Sequence, residues 1–188
     1  IHAIYRKPKH TSANNPAHKI YPYLLRNKNI AANQVWALDT TYIPMARGFV
    51  YLTAVLDWAT RKVLAHKIAI TLEAGHAVDV LNEALRQFAA PEINTDQGSQ
   101  FTAQEFVDSV HGANCKLSMD GKGAWRDNVM VERLWRTVKY ENVYRKAYDS
   151  VSHAKSDIAE YMQWYNSERP HSGLGKLTPD EAYRNRQE

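Results

Sequence analysis

The spacing of apolar residues changes along the chain, and the changes predict the order of strands and helices. Three stretches, 35–43, 49–57 and 63–70, are rich in β-branched and aromatic residues, which is typical of strands. The turns between them are short, and Gly48 lies in the first. Because short connections join antiparallel neighbours, we expect an antiparallel meander.

Beyond residue 70 the apolar residues recur at helical spacing. The first such run consists of Val78, Leu81, Leu85 and Phe88. It predicts a helix that Thr71 caps and that ends before Pro91.

Two capping-box patterns predict further helix starts. Thr102 and Glu105 would open a helix that stops at Gly112, and Thr178 and Glu181 would open a last short helix. The other expected elements are short strands at 92–95 and 116–119, a long helix from about 127–128 and a helix over about 150–166.

This order of elements predicts an α/β fold with a mixed five-stranded sheet flanked by helices. We expect a basic N-terminal arm or linker over 1–34, a folded core over 35–167 and a C-terminal extension with a short helix over 168–188.

Composition excludes several classes of protein. Hydrophobic residues make up 44% and charged residues 23%, which excludes a disordered chain. The single cysteine, Cys115, excludes an internal disulfide, favours a reducing compartment and is expected to be buried. No apolar run is long enough to predict a membrane span, and neither zinc-ligand spacing nor a covalent nucleophile motif is present.

Charge is distributed unevenly, although the net charge is only +4. Residues 1–34 carry six bases and no acid, 35–120 carry ten acids and six bases, and 121–146 carry seven bases and three acids. An acidic centre between basic stretches suits a protein that gathers cations while holding a polyanion. A solvated basic tail beside an ordinary core would give the same totals, so charge leaves both interpretations open.

Three acids on separate elements are candidate metal ligands. Asp39 lies within an apolar strand, where a carboxylate is costly to bury unless a partner or a metal neutralises it. Asp96 follows a short strand, and Glu132 comes after it with 35 residues between them. Taken singly, each acid could be a cap or part of a surface ion pair. Together they favour an oxygen-rich Mg²⁺ site.

The long helix predicted from about residue 127 has two distinct faces. Its apolar stripe consists of Val131, Leu134, Trp135 and Val138. Glu132, Arg136 and Lys139 form a second stripe, about 100° around the helix. Glu132 and Arg136 could simply form a helix-stabilising pair. Alternatively, Glu132 binds metal while Arg136 and Lys139 contact DNA phosphates.

Several other polar residues have structural interpretations. We expect Asp57 and Arg61 to form an ion pair and Asp120 to be a loop acid. His171 is expected to pack in the fold or contact the DNA backbone, and the role of Trp125 stays open.

Three motifs in order resemble the integrase catalytic core of bacterial insertion-sequence transposases, the D-D-35-E enzymes related to retroviral integrase. They are VWALDTTYI at 35–43, NTDQGSQF at 94–101 and DNVMVERLW at 127–135. The similarity continues at 165–171 and 174–179 and covers about residues 30–184.

The resemblance implies a ribonuclease H-like fold and Mg²⁺-dependent cleavage and transfer of DNA strands during transposition. It implies two Mg²⁺ ions, for which Mn²⁺ can substitute, held by the catalytic acids Asp39, Asp96 and Glu132. The expected DNA contacts are Arg136, Lys139, Lys122 and Arg126. The expected partners are transposon-end and target DNA, further copies of the chain on that DNA, and an upstream DNA-recognition region or partner polypeptide. A bacterial cytoplasmic, nucleoid-associated location is expected.

One departure from the family pattern bears on the site. The stretch 91–95 is one apolar residue shorter than the family pattern, and a one-residue change reverses the facing of side chains on a strand. The position of Asp96 is therefore left open by the sequence. The alternatives are a non-catalytic, DNA-binding transposon remnant and a ribonuclease H-like nuclease.

Overall fold

The computed structural model describes residues 19–89, 92–121 and 128–185. The strands are β1 (Val35–Pro44), β2 (Phe49–Asp57), β3 (Val63–Ala69), β4 (Glu92–Thr95) and β5 (Lys116–Met119). The α-helices are α1 (Ala74–Gln87), α2 (Ser99–Thr102), α3 (Gln104–Gly112), α4 (Val129–Glu141), α5 (Val151–Ser167) and α6 (Pro179–Asn185). Two short 3₁₀ turns cover Val143–Arg145 and Ser172–Leu174.

The strands form one mixed five-stranded sheet in the order β3-β2-β1-β4-β5. The first three strands are antiparallel neighbours, as expected, whereas β4 and β5 run parallel to β1. This confirms the predicted fold class. β1 extends beyond its pairing with β4, so the carboxyl end of β4 lies beside the middle of β1.

Each face of the sheet carries its own apolar core. Trp36 and Leu38 point towards α1 and α3, where they pack with residues such as Phe106. Ala37 and Ile43, at the alternate positions of β1, point towards α4 and α5. The same alternation places the Asp39 side chain on the α4 side of the sheet, within reach of Trp135 on α4.

The helix caps predicted at Thr71 and Thr102 are wrong. α1 begins at Ala74, three residues beyond Thr71, and the Thr71 hydroxyl contacts the His76 ring instead. Thr102 ends α2 and donates to the carbonyl of Gly98, because extended backbone at Ala103 separates α2 from α3.

The third capping prediction is confirmed. The Thr178 amide donates to the Glu181 carboxylate at 2.8 Å, and the Glu181 amide donates to the Thr178 hydroxyl at 3.2 Å. These reciprocal bonds satisfy two of the free amides at the start of α6.

The described part of the predicted arm, 19–34, has no helix or strand, yet it packs on the core. Leu25 is buried, the Leu24 amide donates to Ser118, and Lys28 pairs with Glu92 at 2.6 Å. Residues 1–18 lie outside the described residues, so the boundary at residue 34 stays a prediction. None of the described helices is both long and apolar enough for a membrane crossing.

Candidate active site

Strand register brings Asp39 and Asp96 together. The last residues paired between β1 and β4 are Ala37 and Asn94, and each acid lies two residues beyond its member of that pair. The short stretch before Asp96 therefore does not displace it. Their proximity appears in the electrostatics, because the charge of Asp96 raises the pKa of Asp39.

Asp39 is a buried carboxylate, and both of its oxygens accept a hydrogen bond. The Thr40 amide donates to one at 2.8 Å and the Trp135 indole donates to the other at 2.7 Å. The pKa of Asp39 is raised to about 7, chiefly by burial and also by the charges of Asp96 and Glu132, while the two hydrogen bonds oppose the rise. The site therefore favours either a proton or a cation beside Asp39.

Asp96 lies at the start of the tight turn that follows β4. Its Oδ1 accepts a hydrogen bond from the Gly98 amide at 2.8 Å. Burial raises the pKa of Asp96, and this bond opposes the rise. A Cβ on residue 98 would lie 2.8 Å from both Asp96 Oδ1 and the Gln100 side-chain amide, so a side chain there would displace one or both of them.

A buried polar network supports this turn from below. Asn94 donates to Asp120 at 2.9 Å and accepts from Ser118 at 2.8 Å, while the Gln97 side chain donates to the Asp120 carbonyl. Asp120 is thus a loop acid that bonds to the protein, as expected.

Glu132 is placed differently from the other two acids. It lies exposed in the first turn of α4 and is the smallest of the charge effects on Asp39. Within 19–89, 92–121 and 128–185, no group of three His, Cys, Asp or Glu side chains is close enough to hold a metal ion. The structure brings two of the predicted ligands together and leaves the third nearby on another element.

The charged stripe of α4 lies next to these acids. Lys139 donates to Thr41 of β1 at 2.6 Å; burial lowers the pKa of Lys139, and the charges of Glu132 and Asp39 raise it. Arg136 is exposed, and among the described residues no ion pair joins it to Glu132. The helix-stabilising pair considered above is therefore absent.

Lys122 and Arg126, predicted to contact DNA, lie outside the described residues, as does Trp125. Their roles stay predictions.

The carboxylates of Asp39 and Asp96 fit a divalent cation. Each oxygen of Asp39 has one protein donor and keeps a second lone pair, and carboxylate oxygens are the ligands that Mg²⁺ prefers. A cation there would also offset the repulsion that raises the pKa of Asp39.

The expected ion pair between Asp57 and Arg61 is wrong. The Asp57 carboxylate accepts from the Thr60 amide and hydroxyl and from the Asn33 amide, all within 2.9 Å. Arg61 has a left-handed backbone with φ of 62°, and its guanidinium lies beside Gly173 instead. Asp57 is therefore a turn-stabilising acid.

His171 packs within the fold, as one of its two predicted roles required. It is buried against the Tyr165 ring, with ring centroids 4.9 Å apart. Burial, followed by the charges of Arg169 and Arg61, lowers the pKa of His171 to about 4, so the ring is neutral at pH 7. Cys115 is also buried, as expected.

Sequence patterns missed the two side-chain hydrogen bonds that α4 residues donate to β1. Trp135 was expected in the core, but helical periodicity gives the face of a residue and not the atom to which its indole N–H points. The bond from Lys139 to Thr41 could have been suspected, because Thr41 shares a strand face with Asp39.

Comparison with known proteins identifies the family. The family described as "Integrase core domain" matches residues 30–124, and a second family with the same description matches 113–179. The chain belongs to the integrase core domain family.

Curated relatives are transposases of insertion sequences. The chain is 31% identical over 156 residues to "Transposase for insertion sequence element IS904" of Lactococcus lactis, covering 81% of the chain and 62% of that relative. It is 30% identical over 153 residues to "Transposase InsF for insertion sequence IS3A" of Escherichia coli, covering 79% and 53%. The chain thus spans roughly half to two thirds of the length of these relatives.

Solved structures confirm the ribonuclease H-like fold. The chain is 17% identical to a chain of the simian T-cell lymphotropic virus intasome in complex with a PP2A regulatory subunit, with a TM-score of 0.72, covering 90% of this chain and 60% of that one. The catalytic core domain of BIV integrase gives a TM-score of 0.64 at 17% identity, covering 82% and 96%.

Proposed function

We propose that this chain is the catalytic core of a DNA transposase that cleaves DNA and joins the cut end to a new strand with the help of divalent cations. The observation that carries the proposal is the in-register placement of Asp39, within β1, and Asp96, just after the parallel strand β4, with α4 beside them. Sequence identity with insertion-sequence transposases supports the proposal. A protein of related fold, solved in complex with magnesium, also supports it.

Asp39, Asp96 and Glu132 would hold the metal, with two ions in the full site and Mn²⁺ as a substitute for Mg²⁺. When bound, such cations activate water or a 3′-hydroxyl and stabilise the leaving oxygen of an in-line displacement. The protein holds Asp39 in place through the Thr40 amide and the Trp135 indole. The tight turn at Gly98 does the same for Asp96.

The cations of α4 would position the DNA backbone. Lys139 is held beside the acids by Thr41, and exposed Arg136 lies one helical turn before it. Phosphate contacts of this kind fix the register of the strand without reading its sequence. We assign the same role to Lys122 and Arg126.

Selection of transposon ends requires side chains that reach base edges in a groove. The helices between residues 74 and 167 are mostly used to cover the sheet. We therefore assign end recognition to an upstream region or a partner polypeptide, with several copies of the chain acting on one DNA complex.

The test is a strand-joining assay with pre-cut transposon-end DNA, target DNA and Mg²⁺ or Mn²⁺. The proposal predicts joined products that depend on the divalent cation and on pre-cut ends. Hydrolysis of an RNA–DNA hybrid without any joining would favour the nuclease alternative. DNA binding with neither reaction would favour the transposon remnant.

A further inference from the structure

A second face of α4 lines a cleft that the proposed chemistry does not use. The cleft measures about 670 Å³ and lies between α4, the turn after β2 and the segment that follows α5. Its basic lining consists of Arg61, Arg133, Arg136 and Arg169. Arg133 is about 100° around the helix from Glu132, so the two side chains lie on different faces of α4.

Three of these four arginines have no acidic partner among the described residues. Glu141 neutralises Arg169 through two hydrogen bonds, at 2.8 and 2.5 Å, and no ion pair involves Arg61, Arg133 or Arg136. Burial and the charge of Arg133 both lower the pKa of Arg61, although the nearby Tyr165 opposes this. Like charges held close together with no counterion are typical of an anion-binding surface.

The side chain of Arg61 is placed by the backbone around it. A Cβ on residue 173 would lie 2.4 Å from Arg61 Nη2, so glycine at 173 leaves room for the guanidinium. Arg61 itself has a left-handed backbone, with φ of 62°.

An aromatic pair forms the rim of the cleft. Tyr140 lines the cleft and is 67% exposed, which is unusual for so large an apolar ring. Tyr144, itself 55% exposed, packs edge-on against it with ring centroids 5.2 Å apart. The pair presents an open ring face beside unpaired guanidinium groups.

We propose that this arginine cleft binds an unpaired stretch of DNA strand, with its phosphates on Arg61, Arg133 and Arg136 and a base stacked on Tyr140. The inference rests on the proposed function, because it places part of the same DNA. Arg136 lines the cleft and lies one helical turn after Glu132 on α4, so a strand bound in the cleft would run on towards the proposed metal site.

The combination of charge and exposed aromatic rings favours a single strand over other anions. A base in a duplex has its π-face covered by its neighbours, whereas an unpaired base can stack on tyrosine. An acidic polypeptide would use the arginines and leave the ring of Tyr140 without a matching surface. Protein sites for single-stranded nucleic acid combine a basic groove with aromatic platforms in this way.

The test measures binding of a fluorescent single-stranded oligonucleotide and of the matching duplex, without divalent cations. Tyr140→Ala should weaken single-strand binding roughly five- to 150-fold and change duplex binding by less than about twofold. Tyr42→Ala is the matched control, because Tyr42 is 56% exposed on the β1–β2 hairpin. Tyr140→Phe keeps a stacking face and should retain most of the binding.

The charges are tested by salt dependence. Arg61→Gln with Arg133→Gln should flatten the log–log salt slope for the single strand by up to about 1.4. The double variant Arg86→Gln with Lys155→Gln removes two exposed cations from α1 and α5 and should leave the slope unchanged. Thermal unfolding of each variant checks that it is folded.

Equal losses on duplex and single strand, or no loss in the Tyr140 variant, would overturn the inference. Competition by poly-glutamate as strong as by an oligonucleotide of equal charge would also overturn it in favour of an acidic polypeptide. The outcome is separable from the proposed function, since joining is not needed to measure binding. Strand joining by the wild-type chain, together with unaltered single-strand binding by the cleft variants, would reject the cleft inference and leave the proposed function standing.

Discussion

The acids of the candidate site lie in two regions that are built in different ways. Where β4 ends beside the middle of β1, strand register brings Asp39 and Asp96 side by side; Asp39 is buried, Asp96 is half-buried, and both are hydrogen-bonded. At the start of α4, Glu132 is exposed. The first region is rigidly placed and electrostatically unfavourable by itself, because burial and mutual repulsion raise the pKa of Asp39 to about 7. The comparison teaches that the acids beside β4 favour a nearby cation, whereas in the proposed site α4 would add Glu132 as a ligand and the phosphate contacts.

The largest expected effect tests whether all three acids belong to one centre. Asp39→Asn, Asp96→Asn and Glu132→Gln should each reduce strand joining at least about 100-fold, because an amide is a poor ligand for a hard cation. DNA binding should change little. If Glu132→Gln joined DNA at the wild-type rate with Mg²⁺, α4 would not belong to the metal site and the two regions would be functionally separate.

The pH dependence of the free energy of unfolding distinguishes the two regions without a strand-joining assay. The pKa of Asp39 is about 7 in the folded chain, against 3.8 for an ordinary aspartate, so between these values the folded state binds the extra proton. Without divalent cations, this group should lower the free energy of unfolding as pH rises from about 4 to about 7, by up to ~4 kcal/mol.

Urea unfolding across this pH range measures the effect. Asp39→Asn should remove this contribution, and Glu132→Gln should leave most of it, because Glu132 is the smallest cause of the shift. A stability that is insensitive to the Asp39 substitution at every pH would show that burying Asp39 carries no such cost.

Removing the indole donor tests the link between the two regions. Trp135→Phe keeps the ring in the core but deletes the bond to Asp39. We expect about a tenfold drop in joining at limiting Mg²⁺, with partial recovery at high Mg²⁺, and a loss of ~1 kcal/mol in stability. Trp58→Phe is the control, because Trp58 packs on the same core without this bond. Equal losses in both variants would reduce Trp135 to a packing role.

The smallest expected effect concerns the cations of α4. Arg136→Gln with Lys139→Gln should flatten the salt dependence of duplex binding by up to about two units in the log–log slope. Anisotropy titrations at several salt concentrations give this slope. An unchanged slope would place both side chains away from the nucleic acid.

Much of the fold follows from local patterns. The bounds of β2, β4 and β5 and the buried stripe of α4 match the prediction, because strand and helix periods report directly which side chains are covered. The early helix caps failed because a threonine near a helix start can bond elsewhere, as Thr71 and Thr102 do.

The site was predictable in its residues but not in its geometry. Motif spacing names Asp39, Asp96 and Glu132, whereas the facing of Asp96 depends on the register of β4 against β1, a long-range pairing. The arginine cleft joins residues 61, 133 and 173, and no local pattern relates such distant positions.

The most direct test of the central claim is a calorimetric titration of Mn²⁺ into the chain bound to pre-cut end DNA. The account predicts saturable binding in the wild type, binding lost in Asp96→Asn, and unchanged binding in Asp108→Asn, a substitution of an acid on α3 that bonds only to Gln104 among the described residues. Mn²⁺ binding at the wild-type level in both Asp39→Asn and Asp96→Asn would contradict the claim that the metal centre lies at Asp39 of β1 and Asp96 after β4.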